Sequence, residues 1–306
     1  MNFKFQVILP KAYNCLHLKN VAQSFRAASI GTAKAVHYRF NKDVMHDKNE
    51  NYFMPPVISF KFTALLVILF SVIVFHIKPA LAEMTPKEVL SKADEARGNV
   101  EGVEWEIKIE SVENGRTQKR ILKIKARDFN SLAEFLSPPK VKGRKLLMID
   151  RNMWFIKPGL RKPVPISPRQ KLMGGASNGD IASTNYAGDY NATLVSEDTV
   201  NGETCYLFNL VANNKKVTYD RIRYWISKER LIGVKSEFFT VSGKMFKSAT
   251  FKYENSILIK GKPKLFVSKM VITDAVVKSN VTTMNYSKVR IKKIPDSAFN
   301  LNLLVR

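Results

Sequence analysis

The chain has 306 residues, a net charge of +24 and a pI near 9.9, with only two cysteines and four histidines. All four histidines (His17, His37, His46, His76) lie in the first 82 residues. The rest of the chain therefore lacks Ser-His and Cys-His catalysis and the usual zinc ligand sets.

Residues 1–59 show no clear period and no acid before Asp43. Phe60 to Ala82 reads FKFTALLVILFSVIVFHIKPALA, uncharged between Lys61 and Lys78 and ending in Ala80-Leu81-Ala82. A basic flank, an apolar run and a small-x-small ending predict a secretory signal peptide cleaved after Ala82. An uncleaved anchor is the alternative, although the run falls a little short of the ~20 residues that span a bilayer. Met54 precedes PPVISFKFTALL, a normal signal-peptide start. The reading therefore divides the chain into 1–53, a disordered extension from a misassigned start, 54–82, the signal peptide, and 83–306, the working domain. Met45 is a second candidate start, and an organelle-type targeting sequence is the functional alternative for the tail. Cys15 and Cys205 fall on opposite sides of the cleavage site, which excludes a disulfide within the domain. Glu83 follows Ala82, so the acylated cysteine of a bacterial lipoprotein is absent. The domain carries 40 basic against 23 acidic residues, a balance of about +17. That field favours anionic partners. An exported protein rarely meets nucleic acid, so a membrane surface is the better match.

Thr85-Pro86-Lys87-Glu88 is a capping box with proline at the first helical position, and it predicts a helix ending at Gly98-Asn99. Val103 to Val112 alternates Val103, Trp105, Ile107 and Ile109 against charged residues, which predicts a half-buried strand. Asn114-Gly115 then turns it into a return strand with Leu122, Ile124 and Ala126 on one side. SLAEFL, KLLMID and MWFIK continue the β pattern. Pro158, Pro163, Pro165 and Pro168 open a middle block that runs through RQKLMGGASNGDIASTNYAGDY. Its Gly, Ser, Asn and Asp predict loops and short helical turns rather than a regular strand. After it, strands flank Asn201-Gly202 and Ser242-Gly243, and Ile222, Tyr224 and Ile226 share one face. PKLFVSKMVIT, NVTTMNYSKVRI and PDSAFN complete the chain. The short links and one-sided apolar pattern predict a mainly β protein: an unclosed antiparallel half-barrel of ten to eleven strands, with an N-terminal helix and a short helical lid.

Two blocks resemble the outer-membrane lipoprotein-sorting proteins of the LolA/LolB-like superfamily. The first, Pro138 to Asp180, matches the family at Pro138, Lys142-Gly143, Trp154, Pro158, Arg161, Arg169, Gly174 and Asp180. Gly175 stands where the family usually has serine, and the aromatic residue usually near the aspartate is absent. The second, Tyr219 to Lys244, matches at Trp225, Lys228, Glu237, Phe238, Phe239, Gly243 and Lys244, with Ser227 and Gly233 as departures from its aspartate and proline. The resemblance implies a β half-barrel with a helical lid over a hydrophobic cavity, and a carrier in the periplasm of a Gram-negative bacterium. It implies no catalytic residues, cofactor or metal, and as partners an inner-membrane transporter and the outer membrane, with the protein a monomer.

Exposing a sixteen-carbon acyl chain to water costs on the order of 12 kcal/mol, so acyl cargo needs an apolar shelter. Trp105, Ile107, Ile109, Leu122, Ile124, Trp154, Ile156 and Trp225 are the candidate lining residues, with Leu172, Met173 and Ile181 in the lid. Ordinary core packing is the competing reading of each of them. A non-transporting lipid-binding accessory subunit or sensor is the alternative function. An enzyme using Asp180 and Asp189 as a carboxylate pair is a second alternative, although loop acids are more often turn formers.

Overall fold

The computed structural model describes residues 84–305, all within the compact unit Pro79–Arg306. The expected extension, the signal peptide and their boundaries lie outside the described residues. Helix α1 (Pro86–Glu95) begins at the predicted capping box. The Glu88 N–H donates to Thr85 Oγ1 at 3.3 Å, and the Thr85 N–H donates back to Glu88 Oε2 at 2.7 Å. Two otherwise unpaired donors are thus satisfied at the helix start. Thr85→Ala is expected to lower stability by about 1 kcal/mol. Urea denaturation should show this as a lower midpoint with an unchanged slope.

The strands come in two meanders. The first is β1 (Val103–Glu113), β2 (Arg116–Arg127), β3 (Asn130–Ser137), β4 (Lys145–Ile149), β5 (Asn152–Ile156) and β6 (Val164–Ile166). A small hairpin, β7 (Lys171–Met173) and β8 (Ala176–Ser177), then leads through a 3-10 turn at Asn178–Ile181 to helix α2 (Tyr186–Asp189). The second meander is β9 (Tyr190–Val200), β10 (Glu203–Ala212), β11 (Arg221–Ser227), β12 (Gly233–Phe239) and β13 (Met245–Lys252). A separate hairpin, β14 (Asn255–Ile259) and β15 (Lys262–Phe266), precedes β16 (Lys269–Asp274) and β17 (Val281–Ile291). A 3-10 turn at Asp296–Phe299 and helix α3 (Leu301–Leu304) follow.

Thirteen strands form one antiparallel sheet in the order β6-β5-β4-β3-β2-β1-β17-β16-β13-β12-β11-β10-β9. β17 pairs with β1 and joins the two meanders, and the sheet does not close. The fold is the predicted mainly β, unclosed antiparallel architecture, with more strands than the ten to eleven expected. The additional ones are short. Val164–Ile166 is an edge strand inside the proline-rich block, and Pro165 is tolerated there because an edge has one side without partners. PKLFVSKMVIT breaks into β15 and β16, because Lys260-Gly261 turns β14 back onto β15. At the other edge, Leu207 pairs with Ser196 and Phe208 with Leu194, which leaves Val195 as a bulge in β9.

One face of the sheet, called inner here, carries the main core together with α1. Val89, Leu90 and Ala93 of α1 are buried against it, and α1 packs on α2, β9 and β11. Two smaller clusters sit on the outer face. Leu132, Leu147 and Ile156 pack with Ile294 and Phe299 of the C-terminal segment. Cys205, Leu207, Trp225 and Val234 form the other.

Candidate functional site

Trp105, Ile107 and Ile109 of β1 stand on the inner face, with Leu122 and Ile124 of β2 directly opposite Ile107 and Trp105. Phe266 packs on Trp105 with ring centroids 5.7 Å apart. Leu172, Met173 and Ile181 join the same cluster from the segment 167–189, which covers the inner face. The predicted lid residues and five of the predicted lining residues are thus brought together.

Two expectations are corrected. Trp154, Ile156 and Trp225 belong to the outer-face clusters, because strand alternation sends Phe155, Tyr224 and Ile226 inward instead. The Trp225 indole donates to Asp198 Oδ2 at 2.8 Å, and Lys235 lies 4.1 Å above its ring. The inner face is also not an open trough. Ile107, Ile109, Leu122 and Ile124 are 0% exposed, packed against the protein's own side chains.

The cover is attached by polar contacts. Its hairpin β7–β8 pairs only with itself and makes no strand pairing with the large sheet. Asp180, in the 3-10 turn, accepts from the Ser177 N–H at 2.8 Å and from the Tyr219 hydroxyl at 2.6 Å. Lys247 of β13 lies 3.2 Å from Asp180 and donates to the Gly175 carbonyl at 2.6 Å. Both partners of this ion pair are about 95% buried or more. The Gly175 N–H donates to Thr282 Oγ1 at 2.8 Å, and Arg120 donates to the Leu172 carbonyl at 2.7 Å. Gly174 has φ of +56°, and a Cβ there would stand 1.9 Å from Ser111 Oγ. Only glycine allows the cover to meet β1 this closely.

Of the family-motif residues, Gly174, Asp180 and Arg169 meet at the cover. Arg169 donates to the Val217 carbonyl at 2.9 Å and pairs with Asp220 at 2.8 Å. Pro138, which follows a cis peptide bond, and Gly143 shape the β3–β4 connection, where the Gly143 N–H donates to the Phe135 carbonyl at 2.9 Å. Arg161 is exposed between β5 and β6.

Sequence reasoning missed Lys247, Asp94 and Arg97. Lys247 shares its strand face with Ala249 and Phe251, so alternation alone places it inward. Asp94 and Arg97 follow Leu90 and Ala93 at helical spacing. Asp94 is fully buried and accepts from the Ala187 N–H at 2.9 Å. Burial pushes its carboxyl up to about 7, against the opposing effects of the Ala187 and Tyr186 N–H groups and Arg97. The Arg97 guanidinium lies 4.6 Å from the centroid of Phe251 and 5.5 Å from that of Tyr186. Tyr224 and Tyr286 lie near it with phenols pushed up by burial, so they stay neutral. Asp180 and Asp189 line one cleft, but each has its own cation, Lys247 for Asp180 and Arg151 for Asp189.

A family model described as "Uncharacterized protein" matches residues 127–306. The chain belongs to that family. Among solved structures, it is similar to a LolA superfamily protein from Nitrosomonas europaea, with 26% identity and a TM-score of 0.65 over 71% of this chain and 98% of that one. It is also similar to an outer membrane lipoprotein-sorting protein domain from Vibrio parahaemolyticus, with 20% identity and a TM-score of 0.62 over 72% and 98% of the two chains. A DUF1329 family protein from Desulfovibrio piger shares 21% identity and a TM-score of 0.61 over 71% and 97%. No curated protein matches the sequence. This family member therefore has a LolA-like fold.

Proposed function

We propose that residues 83–306 form a periplasmic carrier, released by cleavage of the signal peptide 54–82, which shelters the acyl chains of lipids or lipoproteins on their way to the outer membrane. The observation that carries this reading is an apolar inner face whose cover pairs with no strand of the large sheet. A cover held mainly by side-chain contacts is displaced without unzipping that sheet. Acyl chains then replace Leu172, Met173 and Ile181 over Trp105, Ile107, Ile109, Leu122 and Ile124. The likeness to the Nitrosomonas europaea LolA superfamily protein supports the same reading. At one rim, the turns holding Val241 and Val276, 70% and 75% exposed, also carry Lys244 and Lys278. Exposed valines beside lysines suit an anionic membrane surface or an acidic transporter face.

The test is lipid extraction and mass spectrometry of protein purified from the cell envelope, with transfer of labelled lipid between two vesicle populations. Bound acyl lipid and faster transfer are expected. Recovery of no lipid, together with no transfer, would end the proposal. The filled inner face favours a second reading, a lipid-binding accessory subunit that does not transport. Bound lipid without transfer would select it.

A further inference from the structure

A cleft opens between the Asp150–Arg151 turn, residues 183–190 and residues 216–219, and runs inward to Arg97 and Asn185. Its enclosed volume is about 50 Å³. That is room for a few waters or one small polar group, and not for an acyl chain. Arg97 and Asn185 are 7% and 9% exposed. Each carries a buried nitrogen without a hydrogen-bond partner, Nη1 of Arg97 and Nδ2 of Asn185. Both are donors. Arg97 makes no ion pair among the described residues; Asp94, the nearby acid, accepts from the Ala187 N–H through Oδ2, while its Oδ1 has no hydrogen-bond partner. The rings of Tyr186 and Phe251 hold the guanidinium in place. At the mouth, Lys216 donates to Asn152 Oδ1 at 2.9 Å, and Arg151 pairs with Asp189. The acids lining the cleft, Asp180 and Asp189, are both already neutralised by cations.

Buried charges and buried donors are ordinarily matched by acceptors. Here Arg97 Nη1 and Asn185 Nδ2, on two residues lining one small cleft, are each left without a hydrogen-bond partner. We propose that this cleft is an oxyanion site, in which Arg97 and Asn185 hold a carboxylate or phosphate group, either free or carried at the head of a lipid. The inference goes beyond the carrier reading and does not depend on it. The acyl-binding face proposed above is formed by other residues, and a free anion needs no displaced cover.

Isothermal titration calorimetry of the intact domain with acetate, inorganic phosphate, dodecanoate, dodecyl phosphate and dodecanol tests it. Wild-type protein is expected to bind at least one of the anions saturably at one site and to bind dodecanol more weakly than dodecanoate. Asn185→Ala, with an unchanged far-UV spectrum, should weaken that binding about tenfold or more, the effect of losing a hydrogen bond to a charged group. Arg97→Gln should abolish it. Asn185→Ala carries the test alone if Arg97→Gln fails to fold. Dodecanoate or dodecyl phosphate binding far more tightly than the short anions identifies the lipid-borne form, and equal affinities identify the free anion. No saturable heat with any anion, equal binding of dodecanol and dodecanoate, or undiminished binding by Asn185→Ala would each overturn the assignment.

Discussion

Lys247→Met is expected to destabilise the domain by roughly 3–5 kcal/mol, the typical effect of removing one partner from a buried ion pair. The substitution keeps the length and apolar stem of the side chain, so packing changes little. What it leaves is Asp180 with its carboxylate buried beside Tyr219 and Ser177 and no cation. The Gly175 carbonyl loses its donor as well. The double variant Lys247→Met/Asp180→Asn removes the stranded charge and should recover most of the loss. Guanidinium denaturation followed by tryptophan fluorescence measures both. A single variant within 1 kcal/mol of wild type would mean that the pair does not hold the cover down.

Asp94→Asn is expected to change how stability depends on pH. The folded carboxyl titrates near 7, against about 3.9 in the unfolded chain. Between those values the folded protein keeps a proton that the unfolded chain releases, so this group's contribution falls as pH rises. It is fully present below about pH 4 and is lost by about pH 7. The difference amounts to up to about 4 kcal/mol for a fully buried group. Asparagine still offers an oxygen to the Ala187 N–H and carries no charge to desolvate. The variant should therefore gain on wild type steadily between pH 4 and 7 and be the more stable protein at pH 8. Urea midpoints measured across that range decide it, and parallel profiles for the two proteins would refute the role given to Asp94.

Local pattern carried most of the fold. The capping box at Thr85, the strict alternation of Val103 to Ile109, and the Asn114-Gly115 and Asn201-Gly202 turns each act within a few residues, and each is present as expected. The short strands were not legible, because three or four residues are too few for a period to emerge. β6 and β7 show this, since each has three residues and both lie in the block read as loops and short helical turns. The site was legible only in part. Alternation gives the face of Trp105 relative to its neighbours, but it does not say whether that face meets cargo or other side chains. Trp225 stands opposite the face shared by Ile222, Tyr224 and Ile226 in its own strand, whereas alternation puts Trp154 with Ile156 without saying which of the two faces is the inner one. The pairing of Lys247 with Asp180 joins residues far apart in the chain and depends on how the sheet brings β13 beneath the cover.

The two ends of the unclosed sheet have a consequence for assembly. Pro165 removes an amide donor from β6, and the bulge at Val195 distorts β9. Neither border is a good template for another copy to add its strands and start a cross-β fibril. The molecule can therefore stay open at a sheet width that would otherwise invite aggregation.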